Sequence, residues 1–410
     1  MRLAFVDLYF CWPPHGGADV DLYHVIKGLQ ALGHQVKLFV ASCASTWDRG
    51  SVEPSQLPFP ATRLDFSPRE IGPRTMPRRF RDAVDAWKPE VVFLTDGFFL
   101  KPYVAEALSH YPVISRYYAY ELTCPRDLRL LRDGARCPDN YLRTPNICRP
   151  CALAGMAADI KQWRFLPWAE EYVAARAYLP SYHALVLRTL RHFSIVIASN
   201  RLHKRQMDPF NDDVRIVPGG VDVATFVVHP PPKRRSDERK VILTTGRGED
   251  PAKGVHTLRE AGALLARERN DFVIRVTHTD YTLNTDWFQA IGWHDRDAVA
   301  RLYQQADVCV VPSIWEEPFG LVAVEAMASG RPVCASRVGG LQDIVVHGET
   351  GFLCAPGDSA ELARRLAQLL DDDGLRRRMG DAGRRRAESE YDWEPLVRKH
   401  YPPLLEKVAR

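Results

Sequence analysis

The sequence has no long hydrophobic run and little net charge, and these absences exclude several classes of protein. No stretch of its 410 residues approaches the roughly 18–20 consecutive apolar residues of a transmembrane helix. Lysine and arginine number 55 against 51 aspartates and glutamates. The net charge of +4 suits a small phosphorylated ligand but is far below the basic charge of a dedicated nucleic-acid binder. We therefore expect no transmembrane segment and no nucleic-acid partner.

Cysteine is also sparse, and its distribution bears on location. Nine cysteines are scattered over the chain, which is unlike the framework of a small disulfide-rich secreted domain. The N-terminus reaches Asp7 before any long apolar region, so it predicts a first strand rather than a signal peptide. We expect a reducing, cytoplasmic location, and the oligomeric state stays open.

The length of 410 residues predicts about two or three domains of ~150 residues. Hydrophobic residues make up 46% of the chain, which is enough apolar material for two cores. Apolar strands alternate with amphipathic helices, a pattern that predicts an α/β fold of two Rossmann-like, doubly wound units. We expect these units to face a ligand-binding cleft. The predicted parts are a first domain over 1–217 with a helical, cysteine-containing insertion at about 119–182, a second domain over 218–393, and a C-terminal helix over 394–410. The adjacent Pro402 and Pro403 predict a bend or break in that helix.

The segment 312–330 carries the sharpest functional signal. An apolar strand ends in an acidic turn, and Pro318 stands where a helix begins. The free backbone N–H groups of Phe319, Gly320 and Leu321 and the helix dipole favour a phosphate or a sugar oxygen there. Glu317 lies just outside this helix and Glu325 about one turn inside, so the two carboxylates would bind two sets of hydroxyls. The alternative is that both are solvated acids stabilised by the helix dipole.

A second loop, Thr245–Val255, also follows an apolar strand and opens a helix. Its Arg247 and Lys253 would embrace a diphosphate and neutralise it as it leaves. The alternative is an ordinary surface loop, and its spacing does not match a Walker loop for ATP hydrolysis. A third loop contains His15, Gly16 and Gly17, and its glycines would let the backbone approach a substrate closely.

In this order, the three loops make the chain resemble the family 4 retaining glycosyltransferases of the GT-B fold. The similarity is strongest over residues 241–358 and includes the Glu-x7-Glu pattern from Glu317 to Glu325. Further matching segments are 246–254, 339–343, 347–351 and the hinge-like stretch 217–222. The resemblance implies two Rossmann-like domains, with the C-terminal helix packing back on the first.

The resemblance also implies site roles. Arg247 and Lys253 would hold the diphosphate of a nucleotide sugar whose nucleotide is UDP or GDP. Together with Glu317 they would assist catalysis. Glu325 would bind the ribose. Donor-sugar hydroxyls would meet Glu317 and the backbone of Pro318, Phe319, Gly320 and Leu321. The sugar would pass with retention, by front-face attack, to a small-molecule or oligosaccharide acceptor, and no catalytic metal is expected.

The chain departs from the family pattern in its first half. The usual His-Asp pair is missing after the strand at 113–115, and Tyr118 or Glu121 is the candidate to fill its place. Asp19 stands where a Glu is usual, and Gly219 where an Asn is usual. Two alternatives therefore remain open, a GT-B protein that binds nucleotide sugars without catalysis and a GT-B sugar-nucleotide epimerase.

Four cysteines cluster in the insertion, at Cys124, Cys137, Cys148 and Cys151. The C-x2-C spacing of the last pair is used in structural zinc sites, so we predict one structural Zn²⁺. An iron–sulfur cluster, free thiols or disulfides are the alternatives.

Overall fold

The protein is described here from a computed structural model, which covers residues 1–14, 16–44, 48–126, 131–132, 135–161, 167–228 and 238–409. The chain forms two compact units. The first contains Met1–Leu130, Cys137–Pro218 and Val397–Arg410, and the second contains Leu131–Arg136 and Gly219–Leu396.

The first unit is built on an eight-stranded sheet. Its strands are β1 (Arg2–Asp7), β2 (Gln35–Ala44), β3 (Asp48–Arg49), β4 (Ala61–Asp65), β5 (Val91–Leu94), β6 (Val113–Arg116), β9 (Ile195–Ala198) and β10 (Val214–Ile216). The order is β10-β9-β6-β5-β1-β2-β3, β4 also pairs with β2, and every pairing is parallel except β2 with β3. The central strands β5, β6 and β9 are buried along their whole length, as expected of a parallel sheet with both faces covered.

Helices connect these strands. They are α1 (Gly17–Ala31), α2 (Thr75–Trp87), α3 (Lys101–Ala107), α4 (Pro145–Lys161), α5 (Pro167–Ala174), α6 (Pro180–His192) and α7 (Arg201–Met207). The predicted insertion at 119–182 contains α4, α5 and the start of α6. It also contains a short antiparallel hairpin of β7 (Leu131–Arg132) and β8 (Ala135–Arg136), which sequence periodicity did not indicate.

The second unit is built on a six-stranded, fully parallel sheet in the order β13-β12-β11-β14-β15-β16. Its strands are β11 (Lys240–Thr244), β12 (Phe272–Val276), β13 (Phe288–Ala290), β14 (Val308–Val311), β15 (Val333–Ser336) and β16 (Gly351–Cys354). Its helices are α8 (Val255–Leu265), α9 (Arg296–Gln305), α10 (Leu321–Ala328), α11 (Leu341–Ile344), α12 (Ser359–Asp371) and α13 (Asp373–Arg386). Both units therefore have the predicted α/β architecture.

The last helix, α14 (Trp393–Val408), contains both Pro402 and Pro403. Of the predicted bend or break, the break does not occur, because helical structure continues through both residues. Each proline lacks an N–H group, so the carbonyls of Arg398 and Lys399 lose their helical donors. In the described part of the chain, no helix is both long enough and apolar enough to span a bilayer.

Candidate functional site

The ends of two neighbouring strands of the second unit bring a cation and a carboxylate together. Lys253 lies on the loop after β11, and Glu317 lies on the loop after β14. The Lys253 Nζ donates a hydrogen bond of 2.7 Å to Glu317 Oε1, which also accepts a 2.6 Å bond from the buried Ser313 hydroxyl. The ammonium also lies 5.1 Å from the centre of the Trp315 ring. This part of the predicted constellation therefore exists as an ion pair.

Backbone packing places Lys253 beside that carboxylate. Ile314 N donates a 2.9 Å hydrogen bond to Ala252 O, which ties the two loops together. Gly254, which follows Lys253 in the chain, has φ +70°, and a Cβ built on it would lie 1.9 Å from Pro312 O. Only glycine permits this close contact between the loops in that conformation.

The turn into α10 leaves backbone donors available. Gly320 caps the helix with φ +125°. In the described chain, the N–H groups of Phe319, Gly320 and Leu321 donate no hydrogen bond to another residue. Free N–H groups at a helix start, together with the positive end of its dipole, favour an anion or an electron-rich oxygen.

Two further glycines support this turn. Gly340 N donates a 2.7 Å hydrogen bond to Glu317 O, and a Cβ on Gly339 would lie 2.1 Å from that same oxygen. Gly339 N also donates a 2.5 Å bond to Glu316 Oε2, while Glu316 Oε1 lies 3.3 Å from Arg136 Nε on the β7–β8 hairpin. Sequence reasoning placed Gly339 in a following turn but missed its contact with Glu317, because nothing local signals that contact.

Glu325 lies in a separate hydrogen-bond network. Its Oε2 accepts a 3.1 Å bond from the Tyr303 hydroxyl, which lies 2.7 Å from the Thr245 hydroxyl oxygen. Burial, followed by the charge of Glu325, raises the pKa of Tyr303 well above its ordinary value, so the phenol stays protonated. Tyr303 lies on α9 and connects Glu325 to Thr245, the residue before Gly246. Sequence reasoning missed Tyr303.

Arg247 lies on the same loop as Lys253, and its side chain is exposed. Its guanidinium forms no ion pair with any described residue. Gly219, at the position where the family usually has Asn, lies against the Phe319 ring, since a Cβ there would be 2.8 Å from Phe319 Cδ1. The small residue therefore makes room for Phe319 beside the start of α10.

In the first unit, Gly16 and Gly17 are exposed at the start of α1. Asp19 braces this turn: its Oδ1 accepts from Cys11 N at 3.0 Å and its Oδ2 from Gly16 N at 3.1 Å. A Cβ on Gly16 would meet nothing within 4 Å. His15, quoted with this loop, lies outside the described residues.

The two candidates for the missing His-Asp pair have different partners. The Tyr118 hydroxyl donates a 3.0 Å hydrogen bond to Asp21. Glu121 lies 4.0 Å from the buried Lys101 ammonium. Burial raises the pKa of Glu121 to about 7 and lowers that of Lys101 to about 8. Among the residues that the structure describes, Glu121 Oε2 is buried without a hydrogen-bond partner.

The structure does not assemble the predicted zinc site of Cys124, Cys137, Cys148 and Cys151. All four cysteines are described, and none of them forms a disulfide with a described residue. Among the residues that the structure describes, no three His, Cys, Asp or Glu side chains are grouped to hold a metal ion. Cys148 is buried on α4, with its Sγ 3.8 Å from the Thr144 hydroxyl, whereas Cys151 is half-exposed. Both cysteines of the C-x2-C pair lie on α4, and the zinc site stays a prediction.

Comparison with known proteins gives matches over both units. Residues 16–220 match the family model described as a glycosyl transferase 4-like domain, and residues 229–386 match that of glycosyl transferases group 1. Glycogen synthase of Mycobacterium tuberculosis is 34% identical over 205 residues, which cover 45% of this chain and 46% of that protein. Phosphatidyl-myo-inositol mannosyltransferase of Mycobacterium leprae is 32% identical over 222 residues, or 52% of this chain and 59% of that protein. The chain thus spans about half the length of these curated relatives.

Solved structures match over almost the whole chain. Sucrose-phosphate synthase from Thermosynechococcus elongatus aligns with a TM-score of 0.67 at 21% identity, covering 100% of this chain and 99% of that one. HepE from Anabaena aligns with a TM-score of 0.70 at 16% identity, covering 99% and 100%. These neighbours have the GT-B fold, which is therefore the fold of this protein. With a family model matching each half, the chain belongs to the family 4 glycosyltransferases.

Proposed function

We propose that the protein is a retaining glycosyltransferase that uses a nucleotide diphosphate sugar. The observation that carries the proposal is the ion pair of Lys253 and Glu317, formed where β11 and β14 end and α10 begins. In a doubly wound sheet, this edge beyond the carboxyl ends of the strands is where ligands bind.

The diphosphate is the part of the donor that these groups fit best. Lys253 supplies a positioned cation, and the exposed Arg247 supplies a planar guanidinium from the same loop. Two cations at this point stabilise the charge that develops as the diphosphate leaves. UDP or GDP is the proposed nucleotide, and the structure of HepE from Anabaena with UDP-glucose gives support to UDP.

The sugar and the ribose fall to the two carboxylates. Glu317 and the N–H groups of Phe319, Gly320 and Leu321 offer acceptors and donors to the sugar hydroxyls. Glu325 is held by the Tyr303 phenol and would bind the ribose hydroxyls. Pro318 starts the turn that aims these groups.

The transfer proceeds on one face of the sugar. The bond between the anomeric carbon and the diphosphate oxygen breaks, and an acceptor oxygen bonds to the same face of that carbon. The acceptor proton passes to the departing phosphate oxygen, so the configuration is retained and atoms balance. The enzyme's part is to position the donor and to stabilise the leaving charge through Lys253 and Arg247.

The acceptor is proposed to be a hydroxyl-bearing small molecule or an oligosaccharide. The named relatives include a glycogen synthase and a D-inositol 3-phosphate glycosyltransferase of Corynebacterium diphtheriae, which is 48% identical over 103 residues, 25% of this chain and 24% of that protein. Gly16 and Gly17 remain the proposed points of close backbone approach to substrate in the first unit.

A thermal-shift panel of UDP-, GDP-, ADP- and dTDP-sugars tests the donor. A ligand that binds only the folded protein raises the melting temperature by mass action, so one nucleotide series should stabilise the chain. Arg247→Ala should reduce this stabilisation, because it removes one of the two cations proposed to hold the diphosphate. Arg267→Ala is its matched control, because Arg267 is an exposed arginine just beyond the end of α8. No stabilisation by any nucleotide sugar contradicts the proposal.

Hydrolysis of the stabilising donor separates catalysis from binding. We expect slow release of free sugar by the wild type and none by Glu317→Ala. Donor binding with no turnover in the wild type would favour a nucleotide-sugar-binding protein that lacks catalysis. Production of an epimeric sugar nucleotide would favour an epimerase.

A further inference from the structure

Helix α4 in the first unit is apolar on two opposite sides. One side packs inward through Cys148, Ala152 and Gly155, all of which are buried. A Cβ on Gly155 would lie 2.8 Å from Arg126 Nε, so this side is closely packed. A surface helix with one packed side normally presents polar residues on the other, whereas the outer side of α4 is apolar except for Asn146 in its first turn and Lys161 at its end.

The opposite side is exposed and apolar. Ile147, Leu153 and Ile160 are 50%, 46% and 47% exposed. The other exposed members are Pro150, Ala154 and Ala157. At ~100° per residue, these six residues lie within an arc of about 140° on the helix surface. We name them the apolar face of α4.

The same part of the chain concentrates exposed apolar side chains. Val173 and Tyr178 are exposed just beyond, with the exposed Arg176 between them in sequence. Five of the nine large hydrophobic side chains that are exposed in the described chain fall between Ile147 and Tyr178. The apolar face of α4 is itself a contiguous exposed apolar surface, which marks an interaction site.

The ends of the apolar face are basic. Arg143 and Lys161 are exposed at its two ends, and Arg149 is half-buried on the helix. Arg149 bonds to the Asn146 side chain and the Pro145 carbonyl. None of the three cations pairs with a carboxylate among the residues described. The helix contains a single acidic residue, Asp159.

We propose that the apolar face of α4 docks on a lipid bilayer that contains anionic headgroups. An apolar face flanked by lysine and arginine is the arrangement that lies in a membrane interface, with apolar side chains below the headgroups and cations among them. Docking of this kind needs no spanning segment.

A partner protein and a second copy of this chain fit the apolar face of α4 less well than a bilayer does. Protein interfaces concentrate binding energy in Trp, Tyr and Arg anchors, whereas the exposed side of α4 is aliphatic. In a two-fold contact with a second copy, the face would meet itself, and its unpaired cations would come close to cations of the same sign. An anionic bilayer satisfies both the aliphatic side chains and the positive rim.

Vesicle co-sedimentation of the full chain tests this proposal. The wild type should bind vesicles of phosphatidylcholine mixed with phosphatidylglycerol, and should bind phosphatidylcholine alone much less. Leu153→Asp with Ile160→Asp should weaken the binding about tenfold or more, and so should Arg143→Glu with Lys161→Glu. Added salt should weaken wild-type binding.

Val227→Asp is the matched control, since Val227 is 52% exposed and lies in the second unit. It should bind vesicles as the wild type does. All the substituted side chains are exposed, and an unchanged melting temperature checks that each variant folds. The proposal does not depend on glycosyl transfer, because vesicle binding is measured without any donor.

Three outcomes would overturn the proposal. The first is no wild-type binding to anionic vesicles, and the second is equal binding by the Leu153→Asp/Ile160→Asp variant. The third is a wild-type dimer that this variant dissociates while no vesicle binding occurs, which would assign the face to a second copy of the chain.

Discussion

Lys253 and Glu317 lie 64 residues apart in sequence, and their side chains meet through a hydrogen bond of 2.7 Å. The carboxylate is buried and is also bound by the Ser313 hydroxyl, while the ammonium keeps part of its surface in solvent. Glu317 thus holds the lysine at a position that an anionic ligand can reach. A positioned cation loses less side-chain entropy on binding a diphosphate than a freely moving one does.

The proposed roles of these two residues predict different losses on substitution. Lys253→Met should weaken binding of the free nucleoside diphosphate by about tenfold or more, because one charge-assisted contact is removed. Glu317→Gln keeps an oxygen that can accept from Lys253, so it should leave that affinity within about threefold, but it should abolish sugar transfer if Glu317 has its proposed contact with the sugar. Isothermal titration with the nucleotide chosen by the thermal-shift panel, together with a transfer assay, measures both.

Arg267→Ala serves as the control and should change neither the nucleotide affinity nor the rate of sugar transfer. If Glu317→Gln weakened nucleotide binding as much as Lys253→Met does, then the pair would act as one unit and the separate roles would be refuted.

His203, on α7, is a buried titratable residue outside the proposed site. Its ring is fully buried between Tyr117 and Tyr120, and neither ring nitrogen has a hydrogen-bond partner in the described chain. Burial, and then the charge of Lys101, lowers the pKa of His203 from 6.5 to about 3. The imidazole is therefore neutral in the folded protein.

This lowered pKa predicts a loss of stability in acid. Below pH 6.5 the unfolded chain takes up a proton at His203 that the folded chain does not, so the free energy of unfolding falls as the pH drops towards 3. The expected slope from this residue is ~1.4 kcal/mol per pH unit. Urea unfolding between pH 7 and pH 4.5 should show a shallower acid loss for His203→Leu.

His110→Leu is the comparison, because His110 is exposed and pairs with Asp85 at the surface. It should keep the wild-type slope. Parallel stability curves for the wild type and His203→Leu would show that His203 is protonated in the folded state.

At the scale of secondary-structure elements, the strand and helix order of both units could be predicted from periodicity. Short continuous apolar runs such as those at 91–94 and 308–311 become fully buried parallel strands. The hairpin at 131–136 could not be predicted, because four residues in two-residue strands carry no periodic signal. The course of α14 through Pro402 and Pro403 is also set by its surroundings, since proline alone disfavours it.

In the candidate site too, some features could be predicted from local sequence and others depend on tertiary packing. Lys253, Glu317 and the start of α10 could be predicted, because each follows an apolar strand whose end is visible in the sequence. The contacts of Tyr303 with Glu325, and of Gly339 with Glu317, depend on how distant segments pack, and single-sequence patterns do not report that. The C-x2-C spacing is a local signal too, and among the described residues no three ligand side chains are grouped to hold a metal ion, so the zinc site stays a prediction.

The loop that carries Lys253 depends on glycine at position 254. Gly254→Ala adds left-handed strain and places a methyl group against Pro312 O, so the loops must separate. Gly348→Ala shares a positive φ, +83°, but its Cβ would meet nothing within 4 Å. We expect Gly348→Ala to cost about 1 kcal/mol and Gly254→Ala to cost more.

Urea unfolding measures the stability of these two variants, and nucleotide titration measures how tightly each of them binds the nucleotide. Only Gly254→Ala should weaken binding, because it displaces Lys253 from Glu317. Equal stability losses with unchanged binding would indicate that the contact with Pro312 does not position the loop.

At the scale of the whole molecule, each unit has a hydrophobic core of its own. Among the described residues, a large core cluster of the first unit runs from Ala4 to Val214, and two clusters of the second unit lie between Val221 and Tyr391. Buried cations support each unit internally. Arg116 donates to Asp21 at 2.7 Å in the first unit, and Arg331 donates to the Tyr303 and Gln304 carbonyls in the second.

Separate cores predict that damage in one unit stays local. Asp21→Ala leaves the buried Arg116 guanidinium without its carboxylate, a change that costs about 3–5 kcal/mol for a buried pair. Hydrogen exchange should then quicken in β5 and β6 and stay unchanged in β14 and β15. Arg331→Ala should give the mirror result, because its lost bonds lie in the second unit. If either variant instead quickened exchange in both sheets alike, the two units would share one cooperative unfolding transition, and a substitution could not be assigned to one unit from its contacts alone.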